Sequence, residues 1–211
     1  MTRRLSFLLL TGFVGLLGCE QSPAPAPSPT PVLGEPSSLL PPEPASNNEE
    51  PADAASSKVT LDIKNWDETL ELVAQHTGKI VVLDLWSTAC DPCLAEFPNL
   101  VALHKKHSRD KLVCMSASCD YAGIKNKPPE SYRDTVLEFL TRQQATFQNV
   151  LLNVDTDTLF EKIDLGSIPA VYVFGADGQV AKRFDNDNAK AGEEFTYAKD
   201  VIPFVEKLLA E

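Results

Sequence analysis

Basic residues are scarce in this chain. Its 211 residues include 19 lysines and arginines against 30 aspartates and glutamates, a formal net charge of −11. Nucleic-acid binding needs a basic stripe that neutralises phosphates, so a nucleic-acid partner is excluded. Long apolar runs are missing too. The longest uncharged apolar stretch, residues 5–18, has 14 residues, whereas a bilayer-spanning helix needs about 20. Cysteine occurs at five positions, and the odd count excludes a fully paired intramolecular framework. Only Cys90 and Cys93 stand at a motif spacing. Proline is missing from most of the chain rather than rare overall: ten of the 16 fall within residues 23–51. The chain therefore divides into a Pro-rich tract and a globular portion of roughly 150 residues, the size of one domain. Apolar residues, 43% of the total, suffice for a core.

Arg3 and Arg4 precede the apolar stretch, which ends in small residues, so the segment reads as an export signal. Leu16, Leu17, Gly18 and Cys19 resemble the lipobox of bacterial lipoproteins. That resemblance implies cleavage before Cys19 and its lipidation, and each buried CH₂ of an acyl chain contributes ~0.8 kcal/mol of anchoring. The same residues also admit an ordinary secretory signal with an incidental cysteine. Residues 20–57 hold six acids, no base and almost no aromatic or β-branched side chains. Such a segment cannot bury enough surface to offset its ordering entropy, and its prolines favour an extended backbone. The expected organisation is a signal peptide (1–18), a lipid anchor and disordered Pro/Ala-rich tether (19–57) and one domain (58–211). The domain would be anchored to a bacterial membrane and face the periplasm or cell exterior.

Within the domain, strand and helix patterns alternate. Residues 59–63 alternate at period two. Asn65 with Glu68 three positions on caps a helix over 66–75. Residues 79–86 are nearly all apolar, as in a strand buried on both faces. A helix follows over 93–107, with Pro98 inside it to kink it. The pattern continues with a strand over 111–118, a helix from 131 to about 144, a strand over 150–154 and a short helix over 156–163. Strands over 170–174 and 180–184 flank Ala176, Asp177 and Gly178, a hairpin signal, and a helix over 197–209 ends the chain. This order predicts an α/β fold with a mixed sheet, parallel at its core and closed by an antiparallel hairpin.

The chemistry concentrates at Cys90, Asp91, Pro92 and Cys93, where a strand meets a helix. Unpaired N–H groups at the helix start favour a thiolate at Cys90, which can attack a substrate disulfide. Cys93, one turn along, can then resolve the mixed disulfide. Pro92 donates no competing N–H. A zinc site would need further ligands, and Cys114, Cys119, His76, His104 and His107 form no second short-spaced pair. A purely structural disulfide stays open on this pattern.

The segment from Val82 through Trp86, Cys90 and Cys93 to Glu96, Phe97 and Pro98 resembles the active-site region of thioredoxin-like proteins, and its last three residues are similar to the membrane-anchored TlpA-like branch. Ser167, Ile168, Pro169 and the run to Phe174, followed by Asp177 and Gly178, resemble the cis-proline loop and hairpin of that fold. The strand and helix over 150–165 resemble the branch's central insert. The resemblance spans about 59–210. It implies a thioredoxin-like fold, with a central mixed sheet flanked by helices and a strand-helix insert before the cis-proline loop. It also implies extracytoplasmic thiol-disulfide exchange, usually reduction of cysteine-containing partner proteins, with electrons from a membrane donor, in a monomer without cofactor or metal. Cys90 and Cys93 would be catalytic, with Asp84 as the buried carboxylate that accepts the Cys93 proton. Ile168, Pro169, Trp86, Asp91 and Pro92 would meet the partner; Trp86 also reads as a packing residue. The chain departs from the family at Ala89, where a tryptophan is usual, and at Asp91, whose charge disfavours a thiolate. Cys114 reads as a small buried hydrophobe. Cys119 reads as a third redox thiol, a loop thiol or a partner for Cys114. The alternative function is a non-catalytic binding or metal-handling protein of the same fold with a structural C-x-x-C.

Overall fold

The computed structural model describes residues 58–211. The signal segment, Cys19 and the tether lie outside the described residues. Six strands, β1 (Asp62–Lys64), β2 (Ile80–Trp86), β3 (Leu112–Ser118), β4 (Gln148–Leu152), β5 (Ala170–Phe174) and β6 (Val180–Phe184), form one sheet in the order β1-β4-β3-β2-β5-β6. The β1–β4, β4–β3 and β3–β2 pairs are parallel, and β5 and β6 add antiparallel. The helices are α1 (Trp66–Ala74), α2 (Asp91–Lys106), α3 (Arg133–Gln143), α4 (Thr156–Ile163) and α5 (Ile202–Ala210). This is the mixed α/β architecture expected, with β4 lying between β3 and the edge strand β1. Among the described residues no helix is long and apolar enough to cross a membrane.

Strand β2 shows why the sheet is central. All seven of its residues are buried, because β3 and β5 pair with its edges while helices cover both faces. Alternation sends Val82 and Trp86 into one core with Phe97, Leu100, Phe139 and Val205, from α2, α3 and α5. It sends Val81, Leu83 and Leu85 into the other, with Leu72 of α1 and Leu159 of α4. Asp84 belongs by period two to the face of Val82 and Trp86, the one α2 covers. In the β5–β6 hairpin, Gly178 has φ +77° and its N–H bonds the Gly175 carbonyl at 2.9 Å. A side chain at this backbone conformation would be strained.

Several boundaries differ from the sequence expectation for identifiable reasons. The first strand was expected from residue 59 but starts at Asp62. The Thr60 carbonyl instead accepts from Asn149 Nδ2 at 3.1 Å and the Leu61 carbonyl from Arg133 at 2.6 Å, so side chains replace the ladder there. The last helix was expected to be continuous from 197. It opens as a wide π turn, Tyr197–Val201, before α5. Pro203 has no N–H to offer the carbonyl four residues back, which favours the wider turn. Helix α2 runs through Pro98 without ending.

Candidate active site

Cys90 is the N-cap of α2, in extended conformation, and its Sγ receives the Cys93 N–H at 3.3 Å. The two cysteines are joined, with S–S 2.05 Å and Cα–Cα 5.3 Å. Their environments differ. Cys90 is half-buried whereas Cys93 is 3% exposed and packs in the core of Phe97 and Trp86. The thiol that would meet a partner is therefore the first, at the end of the helix where unpaired N–H groups collect.

Across from the disulfide, the Ile168–Pro169 peptide bond is cis, as the loop resemblance implies. The Ile168 carbonyl lies 3.7 Å from Cys90 Sγ, and the Ile168 side chain is half-buried at the rim. Asp91 and Pro92 are exposed beside it, while Pro169 is buried. Trp86 was expected either to pack or to meet the partner, and it packs. Its side chain is 0% exposed and packs against Phe97 (ring centroids 4.9 Å) and Phe139 (4.7 Å), out of a partner's reach. Helices cover both faces of β2, and the apolar run could not reveal which helices enclose the final ring.

Asp84 is buried, and Tyr197 donates its hydroxyl to Asp84 Oδ2 at 2.5 Å. Burial pushes the Asp84 carboxyl up to about 7; the Tyr197 hydrogen bond opposes this and the Glu96 charge adds to it. Glu96 on α2 accepts the Tyr197 backbone N–H at 2.9 Å and the Asn99 amide at 3.1 Å. The redox helix, the buried carboxylate and the C-terminal π turn are thus one connected unit.

A second cluster holds the loop that leads into Cys90. The half-buried Asp120, two residues past β3, accepts from Ser87 Oγ (3.2 Å), Thr88 N (3.1 Å), Thr88 Oγ1 and Ser118 Oγ (2.5 Å). Where the resemblance led one to expect a tryptophan, Ala89 is exposed, and the order of the loop comes from Asp120 instead. Cys114 and Cys119 are both free and buried. Burial pushes the Cys114 thiol far up, reinforced by Asp84; burial, then Asp120 and Asp84, does the same at Cys119. Neither is a thiolate at neutral pH, and they are not bonded to one another. Among the described residues no group of three or more His, Cys, Asp and Glu side chains is placed to hold a metal ion.

No family model matches the chain. Thioredoxin H5 of Oryza sativa subsp. japonica is 44% identical over 61 residues, which is 28% of this chain and 44% of that protein. The match thus spans less than half the length of that curated relative. Among solved structures, a thiol-disulfide isomerase of Corynebacterium glutamicum superposes with a TM-score of 0.49 at 13% identity, covering 72% of this chain and 96% of that one. The exposed lipoprotein thioredoxin of Streptococcus pneumoniae gives 0.46 at 19% identity, over 64% and 90%. A secreted disulfide oxidoreductase of Mycobacterium tuberculosis gives 0.47 at 18%, over 64% and 86%.

Proposed function

We propose that this chain is an extracytoplasmic thiol-disulfide oxidoreductase that reduces disulfides in partner proteins, tethered to a bacterial membrane through lipidated Cys19. One observation carries the exchange chemistry: a half-exposed Cys90 caps α2, is joined to a buried Cys93 and faces the cis-proline loop. Reduced Cys90 attacks the partner disulfide and forms a mixed disulfide. Cys93 gives its proton to Asp84, attacks Cys90 Sγ and releases the partner thiol. The partner gains two electrons and the Cys90–Cys93 pair loses them, so a membrane electron donor must restore the dithiol. Ile168, Asp91 and Pro92 form the rim that the partner meets, and the chain works as a monomer.

The direction of electron flow follows from charge. Strong oxidants stabilise their thiolate form. Here an exposed acid lies between the thiols, and the domain holds 17 bases against 24 acids. The helix end favours the thiolate by ~0.3–1 kcal/mol, about what an exposed acid can cancel, so little net thiolate stabilisation is left to make a strong oxidant. The pair should therefore lie nearer thioredoxin, at about −270 mV, than a strong oxidant at about −120 mV. An equilibrium titration against glutathione measures it, and a midpoint near the oxidant's value removes the reductase reading. Anchoring is tested by comparing wild type with Cys19→Ala in a bacterial host. Equal partition into the aqueous phase, with no labelled acyl chain on either, removes the lipoprotein reading.

A further inference from the structure

Asp84 is a buried acid with an unusual neighbour. Val82 and Trp86, which share its face of β2, pack with Cys93 and Phe97 from α2 and with Tyr197, so the carboxyl lies on the side of the sheet that carries the resolving thiol. The hydrogen-bonding neighbour, Tyr197, comes 113 residues later in the chain.

The molecule takes several measures to bring it there. Thr196 Oγ1 accepts the Lys199 N–H at 3.2 Å, and Asp200 Oδ2 accepts the Thr196 N–H at 2.9 Å, a reciprocal cap that fixes the start of the π turn. Asn186 accepts the Phe195 N–H at 3.0 Å from the other side. Glu96 takes the Tyr197 N–H. The ring is 1% exposed, and its hydroxyl ends on Oδ2. Apolar packing alone would be served by phenylalanine; a buried hydroxyl aimed at a buried carboxyl does something more.

We propose that Tyr197 is a positioning residue for the exchange reaction: its hydroxyl orients the Asp84 carboxylate and holds it ionised, so that it can take the Cys93 proton at neutral pH. This rests on the exchange reading above. In the step concerned, the Cys93 S–H bond breaks and its proton passes to Asp84. The Cys93 sulfur then bonds Cys90 Sγ, and the Cys90–partner S–S bond breaks. The electron pair leaves on the partner sulfur, which takes up a proton.

Chemistry favours this assignment over passive packing. A donor to a carboxylate stabilises the charged form. Burial drives the Asp84 carboxyl upward and Glu96 pushes the same way, so Tyr197 is the group that opposes them. The tyrosine keeps its own proton, because burial first and then the Asp84 charge raise its ionisation well above the ordinary range. The other titratable group in this core, Cys114 from β3, is held as a neutral thiol; Cys119, one residue past β3, packs in the opposite core.

The test uses the full chain with Cys19→Ser, reduced and mixed with 5,5′-dithiobis(2-nitrobenzoate). Release of the first thionitrobenzoate reports attack by Cys90, and release of the second reports resolution by Cys93. The pH inflection of the second phase is compared with the Asp84 carboxyl ¹³C titration in the oxidised protein. Tyr197→Phe, which keeps the ring, should raise both inflections by about one to two pH units, the worth of a hydrogen bond to a charged group. It should slow the second phase about tenfold at pH 7 and leave the first unchanged. Thr196→Val, which loosens the turn without touching ring or carboxyl, should move them the same way by less. Inflections that stay in place or fall in both variants overturn the proposal. Asp84→Asn and Cys90→Ser separate the possible failures. An unaltered second phase in Asp84→Asn removes the carboxylate as acceptor, and the proposal with it. Both phases surviving in Cys90→Ser removes the exchange reading itself.

Discussion

Two helix starts in this domain are closed in opposite ways. At α1, Asn65 Oδ1 takes the Glu68 N–H at 2.9 Å while Glu68 Oε2 takes the Asn65 N–H at 2.7 Å, a reciprocal capping box made of strong oxygen acceptors. At α2 the cap is the sulfur of Cys90, a weak acceptor, at 3.3 Å from the Cys93 N–H. The first arrangement neutralises a helix end and does nothing else. The second leaves the end only weakly satisfied and puts the reactive atom there, so the potential of the helix terminus acts on a developing thiolate instead of on a fixed oxygen. Good local capping and reactivity are alternative uses of the same four N–H groups.

The contrast breaks most completely at the cysteines. Cys90→Ser replaces the sulfur cap by a better oxygen cap, and exchange with a disulfide substrate should be abolished. Cys93→Ser should accumulate mixed disulfides through Cys90, read by gel shift and peptide mapping. Trapping through Cys93 in the Cys90→Ser variant would reverse the two roles.

Next in size is Asp84→Asn, read as stability against pH. The folded carboxyl is raised from 3.8 to about 7, so the folded state holds a proton that the unfolded state releases between these values. Stability should therefore fall as pH rises through that window, with the loss complete above it. The asparagine variant lacks this loss. It should match wild type in urea unfolding near pH 4 and exceed it at pH 8, by a few kcal/mol on the order set by about 1.4 kcal/mol per decade. Parallel pH profiles for the two proteins would contradict the burial account.

Asn65→Ala tests the other helix start. It should cost about 1 kcal/mol in the same unfolding experiment and leave exchange rates unchanged, since its cap serves structure alone. The smallest effect belongs to Asp91→Asn. Removing a solvent-exposed charge beside Cys90 favours the reduced, thiolate form and makes the pair more oxidising. An exposed charge contributes no more than about 1 kcal/mol, so the shift should be at most about 20 mV. A shift of opposite sign in the glutathione titration would show that Asp91 does not act as a charge on the thiol.

Much of this was readable in the sequence where the determining contacts are local. The Asn65–Glu68 box, the buried run of β2, the cysteine pair at a strand–helix junction and the hairpin turn each depend on neighbours within a few residues. The readings that failed or were absent depend on distant partners. Nothing near Tyr197 announces that its hydroxyl reaches Asp84, and the turn that carries it looks like an ordinary helix start until Pro203 is considered. Asp120 carried no signal in the sequence, because its four donors come from two strand ends that only the parallel β2–β3 pairing brings together. The two readings of Trp86 stayed open for the same reason: the pleat says which face it takes, and only packing says whether that face is open.

The Asp120 clamp also bears on how freely this scaffold can be retuned. Every bond it makes to the redox loop falls on Ser87 or Thr88, ahead of Cys90, whereas Asp91 and Pro92 project into solvent beyond the mount. The dipeptide between the sulfurs is therefore an interchangeable part. Substitutions there leave the Asp120 bonds in place, so the dipeptide can be varied without rebuilding the loop that presents the sulfurs.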